Sequence, residues 1–556
     1  MARWQAIALL LLLWAGMYLP GLGSRELRGE EPRRVLPARE MIQSGHWLIP
    51  RIAGQEYFRK PPGINWSVAA SFLLTGSQDE WAARLPSVLG VLACGLGFLL
   101  LGEGVMGRRS AFLAAFFFLA SVGMLEKARL IEIEALYVSL FGLAWLVWWS
   151  AIEKERPWQA WLLAMALLGG GMVIKGPLHV FYFYVLAISL SVAHRNRFFL
   201  LHPAHLVGWL VFAAVAAPWF WLSQERMAGA TGPSGEQWEV SAVWWQQLAE
   251  RMTFDTEVPL GHWIRQTFQG WLNFLPWVAL VPLGFWRWRR GDVAIVESRR
   301  RFLALFWGLV IAYFAIAILP TSRPRFTLHL IIPVCLLAGE LVGRGLGERG
   351  EKIASFLGAM AGLVGAVVAI VASLGIVVYT REKDFSWAPG VEFGVAALLL
   401  ASFTLLYVAR SGRRAHRDYG LVLHLGLGLV SVSFAYAYLA EAVLSHRMKF
   451  TPVAEAIEAH LPPDRVEPVV LLEMGYMPQV FYFKGPVEEW GSRNDPQEAR
   501  PDYLLLFQDE LESSRGELEA LWGAWEELAI IEDRHWSRDR PYVLMARSRD
   551  SPAPAR

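Results

Sequence analysis

Long apolar runs recur along most of the chain. A bilayer core about 30 Å thick needs roughly 20 apolar residues of helix, and thirteen runs come close to that length. They lie at about residues 5–23, 85–106, 110–126, 133–152, 158–174, 176–193, 204–223, 264–286, 302–320, 326–343, 354–379, 389–409 and 421–445. A shorter run at 64–74 predicts a helix that lies along the membrane surface. The pattern predicts a mainly α, polytopic membrane protein.

The pattern changes after about residue 448, where charge rises and short apolar runs alternate with helical periodicity. We divide the chain into a transmembrane domain, 1–447, and a small α/β domain, 448–556, whose last residues, 551–556, look disordered. In the second domain the sequence predicts strands near 468–472, 503–507 and 541–546 and helices near 451–460 and 508–527.

Lys and Arg are distributed unevenly over the connections between the runs. If the N-terminus is cytoplasmic, the connections on that side carry 20 Lys and Arg, and the short connections on the other side carry seven. Short cytoplasmic loops carry the excess of positive charge, so the bias supports thirteen spans. The long loops at about 24–63 and 224–262 and the C-terminal domain are then outside. In a bacterium this predicts an inner-membrane protein with a periplasmic tail.

Composition narrows the class of function. The chain of 556 residues is 55% apolar, and 52 Lys and Arg balance 50 Asp and Glu. Without a basic excess, binding of nucleic acid has little support. The two cysteines, Cys94 and Cys335, lie inside apolar runs, so neither a disulfide framework nor a CxxC metal site is indicated.

The first outer loop carries the clearest candidate chemistry. Glu30 and Glu31 stand with Arg33 near its start, and Arg59 and Lys60 stand near its end. Carboxylates beside a cationic cluster suit a reaction in which a base removes a proton and a phosphate departs. A solvated loop of mixed charge is the plainer interpretation.

Three further outer connections place charges at the ends of apolar runs: Arg129 and Glu134, Lys175, and Arg325. Arginine is the usual bidentate partner of phosphate. The plainer alternatives are an ion pair between Arg129 and Glu134 and a lysine that extends to the interface. Because the topology brings these connections to one membrane face, we predict one pocket at the outer border of the bilayer, with cations for a lipid-borne phosphate and carboxylates for acid and base chemistry.

These segments resemble motifs of the GT-C glycosyltransferases that use polyprenyl-phosphate sugars, especially the aminoarabinose transferase and protein O-mannosyltransferase group (glycosyltransferase family 39-like). The resemblance covers about residues 5–340. The matching motifs are Glu30-Glu31-Pro32-Arg33, Arg39-Glu40-Met41, Ser44-Gly45-His46-Trp47, Tyr57-Phe58-Arg59-Lys60-Pro61, Arg129 to Glu134, Lys175-Gly176-Pro177, Pro218-Trp219 and Arg325-Phe326 through Pro333.

The resemblance implies a GT-C fold with about 13 transmembrane helices and an inverting transfer of sugar to an acceptor. It places Glu30 at the principal catalytic acid and Glu134 at a second acid. Lys60 and Arg59 fall at the phosphate-binding edge, which Arg129, Lys175 and Arg325 would complete, while Glu31 and Arg33 would support the acceptor or the loop. The family has Asp at both acid positions, and Leu36 replaces an acid seen in relatives.

The expected partners are a polyprenyl-phosphate sugar donor, membrane lipids and an acceptor that is a lipid A-like glycolipid, a glycan or a protein. No metal site is assigned and no cofactor is required, although a divalent cation near the carboxylates stays open. Two rival functions also stay open: a transporter or flippase of lipid-linked sugars, and a non-catalytic envelope assembly protein. The identities of the sugar and the acceptor do not follow from the sequence.

Overall fold

The computed structural model describes residues 2–57, 60–193, 198–227, 249, 260–289, 299–319, 322–344, 403, 430, 450–474, 477–490, 501–532 and 540–548. The predicted spans at 354–379, 389–409 and 421–445, most of the loop at 224–262, the terminal residues 551–556 and Arg59 lie outside these ranges.

Apolar helices dominate the described part of the first domain. Six of them are long and apolar enough to cross a membrane: α4 (Glu80–Met106), α7 (Ile133–Glu153), α8 (Pro157–Ile174), α11 (Pro203–Met227), α14 (Arg299–Ala317), and α15 (Ile331–Gly343) together with the 3-10 segment η2 (Pro324–Leu330) that precedes it. A seventh candidate is the pair α5 (Arg108–Leu119) and α6 (Val122–Ala128), which is bent by 55°.

The other described helices of this domain are α1 (Arg3–Tyr18), α2 (Pro32–Ser44), α3 (Gly63–Thr75), α9 (Leu178–Ala193), α10 (Phe198–Leu201), α12 (Leu260–Leu272) and α13 (Leu280–Arg289). The helix predicted for the membrane surface at 64–74 is α3. The continuous span predicted at 264–286 is wrong, because irregular chain and the 3-10 turn η1 (Trp277–Ala279) separate α12 from α13. Pro276, which has no N–H to donate, stands at the break.

The bend between α5 and α6 fits against this break. The N–H of Val122 donates to the carbonyl of Leu275 (3.1 Å), and that of Gly123 donates to the carbonyl of Asn273 (3.1 Å). The first amides of a helix have no partner within it, so the irregular chain satisfies them. Gly123 permits the approach, since a Cβ there would be 2.9 Å from the Asn273 oxygen.

The tail forms the predicted α/β unit. Its elements are α16 (Thr451–Glu458), β3 (Val469–Leu472), the 3-10 turn η3 (Pro478–Tyr482), β4 (Val487–Trp490), β5 (Tyr503–Phe507), α17 (Gln508–Trp522), β6 (Trp525–Ile531) and β7 (Tyr542–Arg547). The sheet has the order β4-β3-β5-β7-β6, in which β3 is parallel to β4 and β5, and β7 is antiparallel to β5 and β6.

Two strands of this sheet were not predicted. The helix predicted at 508–527 ends at Trp522, and Gly523 then adopts a positive φ of 93°. Residues 525–531 form the edge strand β6, which pairs with β7. Short polar segments such as β4 and β6 acquire strand structure from their sheet partners, which local periodicity does not reveal.

The first outer loop packs on the tail. The loop contains α2 and a small hairpin of β1 (Arg51–Ile52) and β2 (Gln55–Glu56), and its apolar side chains share one buried cluster with the sheet of the tail. Glu489 N–H donates to Ala53 carbonyl (2.8 Å), and Thr451 Oγ1 donates to a carboxylate oxygen of Glu26 (2.5 Å). The tail therefore supports the loop that carries Glu30.

Candidate active site

Three of the predicted residues meet at the start of α7. Glu134 Oε1 accepts a hydrogen bond from Lys175 Nζ at 2.8 Å and lies 3.5 Å from Arg325 Nε. The Glu134 side chain is only 6% exposed and that of Lys175 is 11% exposed, whereas that of Arg325 is 38% exposed. We name Glu134, Lys175 and Arg325 the cation cluster. Within these three residues, one carboxylate faces two cations.

Aromatic side chains hold the segments that carry the two cations. Tyr137, one turn after Glu134, donates its hydroxyl to the carbonyl of Gly176 (2.6 Å) and accepts the N–H of His179 (3.0 Å), which fixes the turn after Lys175. The hydroxyl of Tyr182 donates to the carbonyl of Phe326 (2.8 Å), next to Arg325. The sequence analysis did not single out these tyrosines, which lie within apolar helices.

A close helix contact brings the end of the first loop to the same place. A Cβ on Gly63 would be 2.7 Å from the carbonyl oxygen of Val173. Beside it, Ile64 joins a buried cluster with Ile133, Tyr137 and Ile174. Lys60 stands three residues before Gly63, so its chain segment adjoins the end of α8 that precedes Lys175. Arg59, predicted beside it, lies outside the described residues.

Glu30 lies in a second region, at the start of α2. Its carboxylate accepts hydrogen bonds from Arg33 Nη1 (2.8 Å) and Arg34 Nη2 (3.4 Å), and its side chain remains 48% exposed. It opens into a cavity of about 370 Å³. The cavity is lined by Arg28, Gly29, Glu30, Glu31, Glu126, Leu130, Glu132 and Phe450.

Glu132 connects the two regions. It lines the cavity, it is two residues from Glu134, and its carboxylate is 3.0 Å from Lys127 Nζ. Burial raises the pKa of Glu132, although Lys127 opposes the shift. Neither Lys175 nor Arg325 is among the described residues that line the cavity, so the described relation between the cavity and the cation cluster is through Glu132, two residues before Glu134.

Glu31 is placed differently from Glu30. Its side chain is 2% exposed and pairs with Arg84 at the start of α4, with Arg84 Nε at 2.9 Å from Oε1. It also accepts the N–H of Ile131 (3.0 Å). Of the two predicted roles, this placement matches support of the loop, because the carboxylate is occupied by protein donors. Arg84 was not predicted, because a single arginine beside an apolar run is common at a membrane interface.

Arg129 is directed to α1 in its described contacts. Its Nη1 donates to the carbonyl of Met17 (3.2 Å) and its Nη2 to that of Pro20 (2.6 Å). The last carbonyls of a helix have no partner within it and attract cations, so Arg129 caps α1. The plainer interpretation is an ion pair between Arg129 and Glu134. In the described residues Glu134 pairs instead with Lys175 and Arg325.

The described residues contain no group of three or more His, Cys, Asp or Glu side chains that could hold a metal ion. That the protein needs no cofactor stays a prediction.

Comparisons with known proteins bear on the family resemblance and on the fold. The family model described as dolichyl-phosphate-mannose-protein mannosyltransferase matches residues 59–221. The chain is 26% identical over 405 residues to undecaprenyl phosphate-alpha-4-amino-4-deoxy-L-arabinose arabinosyl transferase 1 of Pseudomonas fluorescens, a match that covers 69% of this chain and 64% of that protein. It is 27% identical over 415 residues to the corresponding transferase of Pectobacterium carotovorum, covering 71% of this chain and 70% of the relative.

The fold also matches a solved structure. The crystal structure of ArnT from Cupriavidus metallidurans bound to undecaprenyl phosphate superimposes with a TM-score of 0.70 and 18% identity, covering 98% of both chains. This establishes a GT-C fold with a small C-terminal sheet domain. Together, the matches confirm the resemblance predicted from the motifs, which is to the GT-C glycosyltransferases that use polyprenyl-phosphate sugars and to the aminoarabinose transferases in particular.

Proposed function

We propose that this protein is an inverting glycosyltransferase that moves a sugar from a polyprenyl-phosphate donor to an acceptor at the outer face of the membrane. The observation that carries the proposal is the cation cluster beside the Glu30 cavity. Lys175 and Arg325 form a positive site at the ends of apolar helices, next to a cavity that contains an accessible carboxylate.

The cation cluster suits the phosphate of the donor. Negative charge grows on the phosphate as its bond to the sugar C1 breaks, and preorganised cations stabilise that charge in a site shielded from water. Arg325, the most exposed member of the cluster, would meet the phosphate, with Lys175 behind it and Lys60 arriving from the end of the first loop. Glu134, already paired with both cations, would position them and would not take the proton.

Glu30 suits the acceptor side of the reaction. Its carboxylate is half exposed, and the cavity of about 370 Å³ falls within the range of small-molecule sites, roughly 300–1,000 Å³. We assign Glu30 as the general base that takes the proton of the acceptor hydroxyl while the acceptor oxygen attacks C1. The phosphate leaves from the opposite face of the sugar, so the anomeric configuration inverts.

The lining of the cavity favours a particular sugar. Glu126 and Glu132 line it together with Glu30, and these carboxylates would attract a protonated amine. The names of the arabinosyl transferase relatives specify a 4-amino-4-deoxy-arabinose on undecaprenyl phosphate. We therefore propose an amino sugar of this kind as the donated group. The acceptor would be a glycolipid of the outer leaflet, because the site lies at the membrane border.

The test is a transfer assay with the purified protein in lipid nanodiscs. Undecaprenyl phosphate carrying 4-amino-4-deoxy-arabinose is compared with the same lipid carrying arabinose, with lipid A, glycan or peptide as acceptor, and products are identified by mass spectrometry. We expect sugar on lipid A, with the amino sugar preferred. A flippase would instead move intact donor across liposomes, and an assembly protein would leave the donor unchanged.

Orientation is tested separately by cysteine labelling. Both native cysteines are buried. Ser513 is exposed on α17, and Arg109 is exposed near the start of α5. A membrane-impermeant maleimide should label the Ser513→Cys variant from the periplasm and should reach the Arg109→Cys variant only after the membrane is opened. The reverse pattern would contradict the proposed outer face.

A further inference from the structure

Arg84 forms the most complete set of polar contacts in the described part of the first loop region. Its side chain is 2% exposed. Nε and Nη2 contact the two carboxylate oxygens of Glu31 at 2.9 and 3.2 Å. The remaining contacts go to backbone carbonyls, those of Leu22 (2.8 Å), Arg25 (2.8 Å) and Glu26 (3.3 Å). An arginine has five N–H donors, and these five contacts use them all.

Glu31 extends this brace to a third segment. Its Oε1 also accepts the N–H of Ile131 (3.0 Å), and its Oε2 accepts the N–H of Arg28 (3.2 Å). One buried ion pair thus joins the start of α4, the chain that leads into α2, and the short segment before α7. Glu30 is the residue before Glu31, and Glu134 is three residues after Ile131.

We propose that Arg84 is a positioning residue of the transfer reaction, which through Glu31 fixes the Glu30 carboxylate relative to the cation cluster. This inference rests on the proposed function. Within the described lining of the cavity Arg84 is absent, so it would act through Glu31 and not on the substrate. The base and the phosphate site lie on different chain segments, and a displacement of about 1 Å between reacting groups can cost about 10²-fold in rate.

The alternative is that the pair only stabilises the fold, and its energetics argue against this. Two charges lose their hydration when they are buried, and replacing both with neutral residues is often neutral for stability, whereas removing one partner is costly. The planar fork, however, supplies a fixed geometry that a lysine cannot reproduce. The pair therefore contributes more to the arrangement of the three segments than to their stability.

The test uses Arg84→Lys and the double variant Arg84→Met with Glu31→Gln, which removes both charges and keeps an oxygen for the backbone amides. We expect kcat for transfer to fall about 10²-fold in both, while the dissociation constant of undecaprenyl phosphate changes less than about twofold because the cation cluster is untouched. The unfolding temperature of the double variant should fall only slightly, because the carbonyls of Leu22, Arg25 and Glu26 lose a donor but no buried charge is left unpaired. Recovery of kcat in the double variant along with its stability would overturn the proposal.

The tail offers a matched control. Arg465 and Glu458 form an ion pair at 2.8 Å, the Arg465 side chain is 1% exposed, and Glu458 also accepts the backbone N–H of Gly485 (3.3 Å). The double variant Arg465→Met with Glu458→Gln makes the same chemical change in the tail. We expect its kcat to stay within about twofold of the wild type. An equal loss of kcat in this control would show that any buried pair has this effect and would overturn the special role of Arg84.

Hydrogen exchange gives a readout that does not depend on activity. In the Arg84 variants, amides of residues 22–34 and of Ile131 should exchange faster, while those of α16 should be unchanged. Unchanged exchange at 22–34 and Ile131 would overturn the brace. A wild-type protein that transfers no sugar would contradict the proposed function, and the exchange result would still decide whether Arg84 orders these segments.

Discussion

Glu30 and Glu134 are both acids near the starts of helices, but their surroundings differ. The cations that contact Glu30, Arg33 and Arg34, follow it by three and four residues in the first turn of α2, and its side chain is about half exposed. The cations that contact Glu134, Lys175 and Arg325, come from distant parts of the chain, and its side chain is almost fully buried.

The difference assigns the two acids to different tasks. The pair of Glu30 with Arg33 is partly exposed on both sides, and such a pair contributes only about 0–1 kcal/mol, so a substrate can displace Arg33 and reach the Glu30 carboxylate while the buried Arg34 stays in place. A buried pair such as Glu134 with Lys175 is far more costly to break, so we expect Glu134 to keep Lys175 through a reaction cycle. We therefore infer that Glu134, paired with a buried lysine and a partly exposed arginine, positions charge, whereas Glu30, open to a cavity, is available for proton transfer.

The largest expected effect comes from Glu30. The Glu30→Gln variant should lose about 10²–10⁴-fold in kcat, since the amide cannot accept the proton, while its affinity for undecaprenyl phosphate stays near that of the wild type. The matched control is Glu519→Gln, which neutralises a glutamate of similar exposure, 45%, that also pairs with an arginine four residues away but lies on α17 of the tail, and it should leave kcat near that of the wild type. Equal activity of the Glu30→Gln variant and the wild type would assign the base elsewhere.

Glu134 should show the opposite profile. The Glu134→Gln variant leaves Lys175 buried without its carboxylate, which should cost about 3–5 kcal/mol of stability and misplace both cations. We expect a lower unfolding temperature and weaker binding of undecaprenyl phosphate, both partly restored in Glu134→Asp. The control is Glu103→Gln, which breaks the more exposed ion pairs with Arg3 and Arg108 at the C-terminal end of α4. It should cost less than about 1 kcal/mol of stability. If the Glu134→Gln variant binds undecaprenyl phosphate as well as the wild type does, Glu134 does not position the two cations.

Gly63 tests how the end of the first loop reaches the cation cluster. In Gly63→Ala the new Cβ would overlap the Val173 carbonyl at 2.7 Å, and such overpacking typically costs about 1–3 kcal/mol. The shift should raise the KM for the donor more than it lowers kcat. Gly170→Ala is the matched control near the end of α8, where the nearest atom lies 3.9 Å away. If Gly63→Ala leaves the KM for the donor unchanged, Lys60 does not contribute to the phosphate site.

The smallest effect concerns Glu132, which lines the Glu30 cavity two residues before Glu134. Burial raises the pKa of Glu132, so the folded protein binds this proton more tightly than the unfolded chain does. The free energy of unfolding should therefore fall as pH rises from the usual glutamate pKa through the raised one. Glu132→Gln should flatten this part of the stability profile, measured by thermal unfolding between pH 4 and 7. If Glu126→Gln flattens the stability profile as much as Glu132→Gln does, the effect comes from the total charge of the cavity and not from Glu132.

Local patterns predicted the elements but not their contacts. Apolar run length located the described spans as far as α15, and a small C-terminal sheet domain is present as predicted, while the boundary at residue 448 stays a prediction. The break at Pro276 and the strand β6 depend on partners far along the chain. The motif pattern placed Glu134, Lys175 and Arg325 together, and their side chains do pair, but it placed Arg129 with them and gave no sign of Arg84.

By itself, the sequence determined that this is a multi-pass membrane protein, because hydropathy depends on local composition and on the thickness of the bilayer. Tertiary structure alone decided which charges meet. Glu31 is buried and Glu30 is open, although they are adjacent, because Arg84 approaches only one of them. Arg129 caps a helix while Arg325 faces the carboxylate. Coulomb energy depends on distance and burial, and neither can be obtained from spacing along the chain.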